Sequence, residues 1–127
     1  MGRKVSGAAA AKVTVPVSTV ITQGKFYLLN GFFGMAVQSV TTNAATTAEV
    51  VLEIDQAEYE TSQITAANAF SKGDKVYWDN VSNLLTTSAN PDANGNPQNR
   101  VVGRVTVTKD TNNVIWMLLG PQVQAHV

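Results

Sequence analysis

Gly73-Asp74-Lys75-Val76-Tyr77-Trp78-Asp79-Asn80 is the stretch on which the fold class turns. Gly-Asp opens it and Asp-Asn closes it, and both pairs are turn chemistry. Between them Val76 and Trp78 alternate with Lys75, Tyr77 and Asp79, the period-2 pattern of a half-buried strand. Leu84 to Thr87 is a second short strand after Asn80 to Asn83, so a hairpin is expected across those four residues.

Downstream, residues 88–99 are almost entirely Ser, Asn, Pro, Asp and Gly and read as an exposed loop. Val101, Gly103, Val105 and Val107 then define one face of a strand, with Arg104, Thr106 and Thr108 on the other. Val114 to Leu119, which includes Trp116 and Met117, is apolar on both faces. Such a strand is central in a core or covered by another subunit.

Upstream, Val50, Leu52 and Ile54 alternate with Glu49, Val51, Glu53 and Asp55, and a short strand is expected around Glu58 to Gln63. Thr65 to Phe70 lacks alternation and is read as one helical turn. Asn30-Gly31 lies between apolar runs, the strongest local signal for a hairpin, because a type I′ turn needs positive φ at both central residues. Gly34, inside the second run, predicts a bulge or a close backbone approach. Val13, Val15 and Val17 alternate with Thr14, Pro16 and Ser18, and Pro16 makes this an edge strand because proline cannot donate to a ladder.

The sum is about seven to nine short strands separated by turns, the pattern of an all-β protein. The expectation is a small sandwich or barrel of short antiparallel strands with an extended N-terminal arm. Residues 1–12 would be the arm, 13–120 the β-rich domain and 121–127 a C-terminal tail.

Composition narrows the function. Charged residues make up 14% of the 127, against about 25% for a typical globular chain, and the formal net charge is zero. Nucleic-acid binders carry a basic excess, because phosphate neutralisation supplies most of their affinity. Here the basic residues cluster only at Arg3, Lys4 and Lys12. There is no Cys, hence neither a disulfide framework nor a thiolate metal site. No stretch approaches the ~18 apolar residues of a membrane helix, and residues 1–16 lack the apolar run of a secretory leader.

Catalytic chemistry has little to work with. His126 stands alone near the C-terminus, without a nucleophile–base constellation around it. Glu49, Glu53 and Asp55 read as the solvated face of a strand. The Asn90–Asn96 loop has one acid, Asp92, and lacks the spacing of a calcium loop. No catalytic, cofactor or metal residue is expected. Tyr77, Trp78 and Trp116 leave one binding class open, a carbohydrate-binding module using aromatic stacking.

Five segments taken in order resemble the capsid cement, or head decoration, proteins of tailed phages. They are Gln23-Gly24-Lys25 running into Phe26 to Leu29; Gly31-Phe32-Phe33-Gly34-Met35-Ala36-Val37; Glu49 to Ile54; Lys72 to Asp79; and Val102-Gly103-Arg104-Val105 with Ile115 to Leu119. The resemblance spans roughly residues 13–119 and is most specific at Gly-Asp-x-Val-Tyr-Trp-Asp. It implies a non-enzymatic role without cofactor. The protein would be made in the host cytoplasm and would sit on the outer surface of the virion capsid. It would bind the major capsid protein and stabilise contacts between its copies, as a homo-oligomer, with a trimer favoured, and with neither nucleic acid nor membrane as partner. On that reading Arg3, Lys4, Val13, Val15 and Val17 are capsid-contact candidates, since an arm and an edge strand can add to a neighbouring sheet. Trp116 and Met117 are subunit-seam candidates.

Overall fold

A computed structural model describes residue 3 and residues 9–123. The described residues form eleven strands and no helix. The chain divides into two compact units, residues 1–55 and 56–127.

In the first unit, β1 (Ala10–Val15), β3 (Phe26–Leu29), β4 (Phe32–Ala36) and β6 (Ala48–Glu53) form an antiparallel sheet in the order β1-β6-β4-β3. Two short strands, β2 (Val20–Ile21) and β5 (Val40–Thr41), pair with each other. The Val face of β1 and the Val50–Leu52–Ile54 face of β6 bury themselves together with Ile21 and Ala36, which is what their period-2 alternation requires. Leu29 pairs with Phe32 across Asn30-Gly31, whose φ values of 52° and 81° give the two left-handed positions expected. Phe26 and Phe33 stack with ring centroids 5.5 Å apart, both solvent-excluded. Gly34 is a close approach rather than a bulge: a Cβ there would overlap the main-chain oxygen of Glu53.

Pro16 lies just beyond the end of β1, not within it. Ser18 follows at φ 55°, and its amide donates to the Asn43 carbonyl at 2.9 Å. The strand expected over Val13–Val17 is therefore displaced toward the N-terminus and includes Ala10, Ala11 and Lys12. Alanine carries little strand propensity, but here pairing with β6 sets the register.

In the second unit, β7 (Glu58–Thr61), β8 (Lys75–Asp79), β9 (Leu84–Thr86), β10 (Arg100–Val107) and β11 (Ile115–Leu119) form one antiparallel sheet, ordered β7-β11-β10-β8-β9. Its buried side carries Val76, Trp78, Leu85, Val102, Val105, Ile115, Met117 and Leu119. The register shifts between Val101 and Gly103 and between Val105 and Val107. These irregularities break the expected single valine face: Val102 and Val105 are buried, whereas Val107 is exposed.

The Gly73–Asn80 stretch is a strand with built-in turns. Gly73 sits at φ 94°, and its amide donates to the Val105 carbonyl at 2.8 Å. Asp74 Oδ2 accepts from the Ser71 amide at 2.9 Å. Asp79 Oδ1 accepts from the amides of Val81 at 2.9 Å and Ser82 at 3.3 Å, closing the β8–β9 turn. The helical turn expected over Thr65–Phe70 is instead an irregular loop. Asn68 Oδ1 accepts from the Thr86 hydroxyl and the Thr87 amide. Lys109 Nζ donates to the carbonyls of Ala66 and Asn68. Phe70, fully buried at φ 49°, could not continue a helix.

Candidate functional site

Two sheet surfaces, one in each unit, carry groups suited to binding. The first is the outer edge of β1. Residues 11, 13 and 15 direct their main-chain groups at β6: the Ile54 amide donates to the Ala9 carbonyl, which fixes the parity of the ladder. Ala10, Lys12 and Thr14 accordingly direct theirs to the other side. There the Thr14 amide donates to Asn30 Oδ1 at 2.7 Å. Asn30 thus serves both the hairpin and the edge, capping one amide of β1. Lys12 Nζ lies 3.5 Å from Glu49 Oε1, a solvent-exposed pair of little energetic weight.

Val13 and Val15, named above as contact candidates, are 2% and 0% exposed. Their side chains belong to the core of the first unit and their main-chain groups to β6, so neither reaches a partner from this conformation. The signal for this lies in their own alternation, since the apolar face of a half-buried strand is the buried one. Val17 lies past Pro16 and is exposed. Arg3 is exposed too, while Lys4 lies outside the described residues.

The second surface is the outer face of the five-stranded sheet. Residues directly opposite on paired strands share a face. One row runs Glu58, Leu118, Arg104, Lys75 across β7, β11, β10 and β8. The next row joins Glu60 to Trp116 and then Val107. Trp116 and Leu118 are 41% and 46% exposed. Trp116 Nε1 donates to Glu60 Oε2 at 2.8 Å, and the Thr106 hydroxyl donates to Glu58 Oε2. Arg104 donates to the Gly73 carbonyl at 2.7 Å. Among the described residues neither Arg104 nor Lys75 forms an ion pair. A depression of about 310 Å³ opens beside them, lined also by Val101, Leu118 and Val123. Met117, the other seam candidate, is fully buried, because alternation along β11 turns it inward. Trp78 is buried as well, with Nε1 donating to Asn80 Oδ1 at 3.1 Å, and Tyr77 is half-buried.

The remaining polar clusters are structural. Asp92 Oδ1 accepts from the amides of Asn94 and Asn96, organising the 88–99 loop around itself. Arg100 is buried and donates to the Gln122 carbonyl at 2.9 Å, tying residues 120–123 back to the start of β10. Burial lowers the pKa of its guanidinium. No group of three or more metal-ligating side chains occurs among the described residues. His126 lies outside them.

Comparison with known proteins gives a family. Residues 5–119 match the phage cement protein family. No curated protein matches the chain. Among solved structures, the base of the head fiber protein gp8.5 of bacteriophage phi29 aligns over 93% of this chain and 99% of that one. The identity is 8% and the TM-score 0.46.

Proposed function

The chain belongs to the phage cement protein family, and from that premise we propose that it decorates the outer surface of the capsid, binding the major capsid protein where neighbouring copies meet. The match over residues 5–119, nearly the whole described chain, carries this reading. Its role is structural, that of a capsid decoration protein. We assign synthesis to the host cytoplasm, and assembly as a homo-oligomer, with three copies favoured. Nucleic acid and membrane are not partners on this reading, in keeping with a formal net charge of zero.

The outer edge of β1 is the proposed capsid contact. An edge strand offers unpaired main-chain groups to an incoming strand. The edge from Ala10 to Lys12, preceded by the basic Arg3 and Lys4, provides this docking line, with Val17 exposed beyond it.

The test is cosedimentation of purified protein with expanded, undecorated capsids. Saturation at a fixed ratio per capsid subunit, with raised thermal or osmotic resistance of the shell, is the expected result. A folded protein that fails to bind would overturn the reading. Binding to a glycan array without capsid would then favour a carbohydrate-binding module.

A further inference from the structure

Around Trp116 and Leu118 the outer face of the five-stranded sheet is polarised across its strands, with Asp79 farther along β8 on the same face. Glu58 and Glu60 stand on the β7 side, Trp116 and Leu118 in the middle, and Arg104 and Lys75 on the β10–β8 side. Arg104 and Lys75 are direct cross-strand neighbours of the same sign, an arrangement that costs free energy in an isolated sheet. Neither has an acidic partner among the described residues. Two large apolar side chains, each more than two-fifths exposed, lie between the oppositely charged flanks.

We infer that this face is where copies of the chain associate with one another, about a rotation axis parallel to its strands. About such an axis the acidic flank of one copy meets the basic flank of the next, while Trp116 and Leu118 turn toward the axis. An axis lying in the face and perpendicular to the strands would set acid against acid and base against base. The charge order therefore selects the axis direction, although it is compatible with two copies or with three. Association supplies the missing carboxylates to Arg104 and Lys75 and withdraws Trp116 and Leu118 from water. This deepens the self-association proposed above by naming its surface.

Two charge-reversed proteins test it. One carries Glu58→Lys and Glu60→Lys, leaving both flanks basic; the other carries Lys75→Glu and Arg104→Glu, leaving both acidic. Each alone should associate at least about 10-fold more weakly than wild type in sedimentation velocity. Mixed in equal amounts, they should regain assembly. A two-copy assembly regains it fully, whereas a ring of three always keeps one mismatched seam among its three, so the extent of recovery reports the copy number. Leu118→Lys, on the exposed face, should give monomers with an unchanged circular dichroism spectrum. Lys75→Glu alone, which breaks no hydrogen bond seen here, should weaken association without lowering the unfolding temperature; it keeps the test decisive if a double variant misfolds. Wild-type protein that is monomeric at its highest soluble concentration would overturn the inference. So would Leu118→Lys protein of wild-type size, or a mixture no better than its parts. Capsid cosedimentation, read separately, distinguishes this failure from failure of the cement reading: a monomer that still saturates capsids sinks only the inference.

Discussion

At Gly34 the chain has no room for a side chain, because a Cβ would overlap the Glu53 carbonyl oxygen, which is main chain and cannot swing away. Gly34→Ala should therefore cost about 1–3 kcal/mol, in the manner of overpacked cores, and lower the urea midpoint accordingly. A midpoint within error of wild type would show that β4 and β6 can separate without penalty. Asp79 acts in the opposite way, through what it accepts. The amide of Val81, with a smaller contribution from Ser82, holds its pKa below the ordinary 3.8, against a modest opposing effect of burial. A carboxylate with a depressed folded pKa contributes stability above its unfolded value and loses it as pH falls through the folded one. Acidification below about pH 4 should thus loosen the β8–β9 turn. Asp79→Asn keeps an acceptor oxygen but cannot titrate, so its unfolding temperature should fall less steeply with acid than that of wild type. Equal slopes would mean that the turn draws nothing from the charge.

Elements were legible in the sequence wherever alternation and turn chemistry agreed. β6, β8 and the Asn30-Gly31 hairpin follow from local rules alone, because one buried face and one tight turn leave a strand a single register. β10 was legible as a strand but not in its faces, since an irregularity that shifts the register has no residue signature in Val-Val-Gly-Arg-Val. The 65–70 loop was misread because its shape comes from distant partners, Lys109 and Thr86, which local pattern does not reveal. Of the candidate contacts, Trp116 keeps an exposed face, while Val13, Val15 and Met117 went inward for the same periodic reason that made them visible. The boundary of the arm shifts likewise. Deleting residues 1–8 leaves β1 whole and should weaken capsid binding while preserving the circular dichroism spectrum. Deleting residues 1–12 removes half of β1 and exposes Val50 and Leu52, so it should destabilise the fold as well. If removing residues 1–8 left capsid affinity unchanged, the β1 edge alone would be the contact and the basic residues before it dispensable.

For the molecule as a whole, the charge balance separates two kinds of binding. Nine cationic and nine anionic side chains leave no net charge to draw the molecule toward a charged shell. The one ion pair among the described residues, Lys12–Glu49, is exposed and readily screened. Main-chain hydrogen bonds of the kind proposed at β1 would contribute affinity that salt scarcely affects. Protein–phosphate contact behaves otherwise, losing roughly 10³–10⁵ in affinity between 50 and 200 mM salt when six to ten phosphates are engaged. Capsid cosedimentation over that salt range should therefore shift by less than about 10-fold, the allowance left for basic residues at the N-terminus touching an acidic shell. The same titration on emptied and DNA-filled capsids should superimpose. A steep loss of binding with salt, appearing only when DNA is present, would make nucleic acid a partner and remove the assignment to the outer surface.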